Sequence, residues 1–150
     1  MNKLKYYFLD ECKNFGVTPI IGDRWQCIFS KKSIIVPTQK TKKDIFIGFH
    51  ELGHYVLHNG DKRNYDDLLD RINIELEADE YAFKKCKEYD IKHNELNSAT
   101  MGLIALYLYQ GNNLDSYSIE CDEWFITLYK NGSEVFGQFI NNLPLHPSIY

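Results

Sequence analysis

Apolar and polar positions follow two periods along this chain, and the switches between them mark its elements. Over residues 2–14, Leu4, Phe8 and Cys12 recur every fourth position, the stripe of an amphipathic helix. Phe15-Gly16-Val17 breaks it. Residues 25–36 read as two short strands, because Trp25, Cys27, Phe29 and then Ile34, Ile35 and Val36 favour a pleated backbone. Lys31-Lys32-Ser33 is the expected turn, and Pro37 closes the unit. The helical period returns from Thr41 to about Leu57, with Ile45, Phe49, Leu52 and Val56 as the buried stripe. Thr41-Lys42-Lys43-Asp44 resembles a capping box with Asp in the usual place of Glu or Gln, and Asn59-Gly60 supplies the stop. A long helix is expected over residues 65–88, with Leu69, Ile72, Leu76, Phe83 and Cys86 facing inward. A third is expected over 94–109, ended by Gly111. In the tail, Asn131-Gly132 between two apolar runs predicts a hairpin. A helix over 118–130 is the competing reading.

Length and composition narrow the class. A chain of 150 residues is sized for one domain with a real core. A net charge of −4, with lysines only in short runs such as Lys42-Lys43 and Lys84-Lys85, argues against direct nucleic-acid binding. The first residues mix Lys and acids into their apolar run, unlike an export signal. The longest apolar run, residues 101–109, is too short for a bilayer span of about 20 residues. The cysteines at 12, 27, 86 and 121 form no C-x-x-C pair, so a cysteine zinc site is not expected. Free thiols without an export signal suit a reducing cytoplasm.

Chemistry concentrates in FHELGHYVLH, residues 49–58, which holds three of the five histidines. On a helix, His50 and His54 lie one turn apart on one face, so two imidazoles can reach one metal. Glu51 is rotated by about 100° from His50 and borders that site as a general base. This is the logic of H-E-x-x-H. A catalytic zinc needs a third protein ligand. The longer motif with Gly at 57 and His at 60 is absent, since the chain has Leu57 and Gly60. His58 lies about 80° round the axis from His50 and two turns along, a poor ligand position. It reads instead as a histidine favoured by the helix C-terminus. The better third ligand is Glu75 in the next helix, within IELEADEYA, residues 74–82. Asp79, four residues on and on the same face, can accept from the far nitrogen of a ligand histidine. Glu77 and Glu80 read as solvated. Zinc is the expected metal, with manganese or iron less favoured for two His and one Glu.

HELGH together with Glu75-Leu76-Glu77-Ala78-Asp79-Glu80-Tyr81-Ala82 resembles the ImmA/IrrE family of metallopeptidases, with Tyr81 where the family usually has Phe. Phe15-Gly16-Val17 and residues 25–36 resemble the family's lead-in to its metal helix, so the likeness spans roughly residues 10–85. The resemblance implies an α+β, zincin-like core of the Glu-ligand type, its helices packed on a short sheet. His50, His54 and Glu75 would hold zinc, with Glu51 as base and Asp79 supporting a ligand. It also implies a cytoplasmic zinc endopeptidase of phage, mobile-element or stress regulation whose protein substrate is a helix-turn-helix repressor. The region from 94 to 150 is where the family varies.

Three other functions compete. One is a metal-binding interaction module that binds its partner without cutting it. Another is a zinc hydrolase of small substrates. The third is regulation without proteolysis. Tyr55, Tyr65, His93 and His146 are candidate oxyanion donors by residue type alone, and the sequence selects none of them.

Overall fold

A computed structural model describes residues 2–37, 42–93 and 95–111. In chain order these form α1 (Asn2–Asn14), β1 (Thr18–Ile21), β2 (Gln26–Ile28), a 3-10 turn (Phe29–Lys31), β3 (Ser33–Val36), α2 (Lys42–His58), α3 (Leu68–Glu88) and α4 (Ser98–Tyr109). The class is α+β, with four helices and one small mixed sheet among the described residues. The chain divides into two compact units, Met1–Lys62 with Glu77–Glu95 and Arg63–Leu76 with the residues from Leu96 on. The division between Leu76 and Glu77 falls inside one uninterrupted helix, α3. Thr41, Cys121, His146 and the expected tail hairpin lie outside the described residues.

In the first unit the sheet order is β1-β3-β2. β3 is central, antiparallel to β2 with Cys27 opposite Ile34, and parallel to β1 with Ile20 opposite Ile35. Ile34 and Val36 are buried, as their place in the central strand requires. The expected two-strand unit is present, but the turn between its strands is the 3-10 stretch closed by Lys32 in the left-handed region at φ 47°. The sequence reading missed β1. Its four residues are exposed, and it carries Pro19, so it shows neither alternation nor an apolar run. An edge position tolerates the missing N–H of proline.

α2 packs on β2, β3 and α1. Ile45, Phe49 and Leu52 of the expected stripe are fully buried, and Val56 is half-buried. Gly48 lets the helix settle there: a Cβ at this position would stand 2.9 Å from both the Phe8 ring and the Trp25 ring. Those two rings meet edge to face at 5.5 Å between centroids. Gly60, at φ +82°, carries the chain out of α2, and the Asp61 N–H donates to the His58 carbonyl. That left-handed turn suits glycine because a Cβ is strained there.

In the second unit, α3 starts at Leu68 and not near 65. The Asp67 carboxylate caps it, accepting the Asp70 N–H at 2.9 Å. α4 likewise starts at Ser98 and not at 94, because Asn97 accepts the Ala99 N–H at 2.9 Å. Both caps satisfy a donor that the first helical turn leaves open. Gly111 follows α4 at φ +87°.

Candidate metal centre

The site is built on one close approach of two helices. α2 carries His50, Glu51, His54 and His58, and α3 carries Glu75, Glu77 and Asp79. A Cβ at Gly53 would lie 3.1 Å from Tyr81 and 3.2 Å from the Ala78 carbonyl oxygen. The glycine of HELGH therefore removes the side chain that would hold α3 off. Ala78 sits at this approach, fully buried. The residues one step before and one step after it flank α2 on its two sides.

Asp79 takes one flank. Its buried carboxylate accepts from His50 Nδ1 at 2.6 Å, with His50 itself only 2% exposed. Glu77 takes the other and accepts from His58 Nε2 at 3.0 Å. His58 is 6% exposed, and its Nδ1 is 2.9 Å from His54 Nδ1. The histidine expected to serve only the helix C-terminus and the Glu77 expected to be solvated are thus both engaged. Phase relative to His50 does not reveal the contact that His58 makes with His54, four residues before it.

For neutral imidazoles, these pairings assign the protons. A carboxylate only accepts, so His50 carries its proton on Nδ1 and His58 on Nε2. A neutral His58 then has a bare Nδ1 and accepts from His54 Nδ1–H. The remaining nitrogens are Nε2 of His50 and Nε2 of His54. They face each other at 3.1 Å. Two imidazole nitrogens at that separation can share one proton or one cation. Two imidazole nitrogens on one tetrahedral zinc, each about 2.0–2.1 Å from it, stand roughly 3.3 Å apart. The donor set fits such an ion.

His50, His54 and Glu75 form a group that could hold a metal, each offering one ligand atom, all within 4.8 Å of one another. Glu75 is 7% exposed and accepts the Tyr65 hydroxyl at 2.9 Å. Burial, followed by the charge and hydrogen bond of Glu75, pushes the Tyr65 hydroxyl up to about 12, although Arg71 over its ring works the other way. Tyr65 lay among the oxyanion candidates and here touches a candidate ligand. Tyr55 stacks on Phe29 at 6.5 Å, and His93 on Phe46 at 4.0 Å.

Glu51 is held from the sheet. The backbone N–H of Cys27, on the outer edge of β2, donates to Glu51 Oε2 at 3.0 Å. The base expected from the motif is therefore positioned by a strand edge, a contact with no signature in the sequence. The Cys27 thiol beside it is pushed up to about 12, mainly by burial and then by the Glu51 charge.

No family model, curated protein or solved structure matches this chain.

Proposed function

We propose that this chain is a zinc-dependent endopeptidase with a zincin-like core of the Glu-ligand type, acting in the manner of the ImmA/IrrE family. The observation that carries the reading is the pair of Nε2 atoms of His50 and His54, 3.1 Å apart, with the base Glu51 next in sequence to His50. His50, His54 and Glu75 are the residues that would hold the ion. Once bound, zinc would supply Lewis-acid polarisation of a peptide carbonyl and activate a water. Glu51 would take the proton of the attacking water and deliver it to the leaving amine. The outer edge of β2 lies next to Glu51, so an extended peptide paired along that edge would bring its backbone to the base. This favours a peptide substrate over a small molecule. A helix-turn-helix repressor, phage or mobile-element regulation and a cytoplasmic setting follow from the family likeness of the two motifs.

The interaction-module reading has one observation in its favour, the hydrogen bond that already occupies Glu51. The two readings separate on Glu51→Gln. The expected result is one zinc per chain in both wild type and variant, measured by mass spectrometry. Cleavage of an unstructured peptide pool should fall about 10²–10⁴-fold in the variant, the usual contribution of a general base. Equal cleavage by both proteins would overturn Glu51 as the base, and absence of products from both would move the interaction module to first place.

A further inference from the structure

We propose that His58 and Glu77 are a positioning pair for His54, fixing its tautomer and ring plane so that Nε2 is presented without a proton. The inference rests on the metal reading above and adds residues outside the candidate ligand set. The two histidines of the motif have the same need and meet it differently. His50 is fixed directly by the Asp79 carboxylate at 2.6 Å. His54 has an imidazole at its Nδ1, that of His58 at 2.9 Å, and a carboxylate, Glu77, stands behind it at 3.0 Å. Glu77 accepts only, so it dictates the proton position on His58, and His58 in turn dictates that on His54. A buried imidazole is costly unless both its nitrogens are engaged, and both of His58 are. The side chain of His58 is 4% exposed and that of Glu77 31%. A histidine serving only the helix dipole would keep its ring toward water.

The spacing explains why a third histidine is used. Steps of four along a helix turn the side chain by about 40°. Positions 50, 54 and 58 therefore climb as a slow ladder in which each ring touches its neighbour. His58 is one rung too far to share the ion with His50 and one rung away from His54.

The test is nitrogen-15 NMR on metal-free full-length protein, alongside zinc titration against a competing chelator. In the wild type, His54 should carry its proton on Nδ1 and His58 on Nε2. His58→Ala and Glu77→Ala should return His54 to a mixture of tautomers. Each should weaken zinc binding about 10–100-fold, the range for partners that orient a ligand. Glu77→Gln keeps an acceptor oxygen and should retain both the tautomer and the wild-type affinity. The double variant should bind no more weakly than His58→Ala alone, because both act through one ring. Thermal melts in chelator identify any variant that has lost its fold, and Glu77, being part-exposed, is the safer substitution. A proton on His54 Nε2 in the wild type, unchanged affinity in Glu77→Ala, or losses that multiply in the double variant would each overturn the pair. Correct tautomers without any zinc binding would uphold the pair and sink the metal reading.

Discussion

Each of the three carboxylates at 75, 77 and 79 meets a different partner: the Tyr65 phenol, the His58 imidazole and the His50 imidazole. The sequence made the Asp79 role and the Glu75 candidacy legible, because spacing by four on a helix is a strong rule. It hid Glu77, whose phase opposes Glu75, because phase says where a Cβ points and not where the neighbouring backbone comes close. Tyr65 was visible only as a residue type. Its hydroxyl ordinarily titrates near 10 and here near 12. A folded value raised above the unfolded one means its contribution to stability is whole below pH 10. That contribution drains away as the pH climbs through about 12. The phenolate absorbance of wild type minus Tyr65→Phe should therefore show its midpoint near 12. A midpoint near the ordinary tyrosine value would mean that neither the burial of Tyr65 nor its bond to Glu75 holds.

Helix ends were predicted too early at the N-termini of α3 and α4. Apolar periodicity extends past the physical start of a helix, whereas the cap fixes it, and Asp67 and Asn97 are the caps. β1 was illegible for a different reason, since an exposed edge strand with a proline satisfies no strand template. α2 was read well, as a long amphipathic segment with a clear stop. Its seat on the first unit depends on Gly48, where two aromatic rings occupy the space a methyl would take. Gly48→Ala should raise intrinsic helix propensity by about 1 kcal/mol. It should nonetheless lower stability by about 1–3 kcal/mol, as overpacked cores do. Urea unfolding would measure this, and a net gain would show that Phe8 and Trp25 yield without strain.

For the whole molecule, the sequence predicted class and composition more securely than extent. No helix among the described residues is long and apolar enough to cross a membrane. The α+β class follows from helices and short strands segregated along the chain, which periodicity reveals. Three-dimensional convergence of His50, His54 and Glu75 does not follow from periodicity, since nothing local brings position 75 back to position 50. A ligand held only by the folded chain should stabilise it by mass action. Free zinc at a hundred times its dissociation constant should add about 2.7 kcal/mol to unfolding. Calorimetric melts with zinc and with chelator would reveal this. Superimposable melts would count against a site assembled from both helices.

The unbroken course of α3 has a consequence for how this chain can vary through descent. Glu75, Glu77 and Asp79 share one helical frame, so their relative bearings are set by count alone. One codon gained or lost among 76–78 would swing Glu75 about 100° away from Asp79. Point substitutions along α3 can accumulate one at a time, but its length between those carboxylates is frozen. The segment between α2 and α3, bound by no such frame, is where inherited insertions have room.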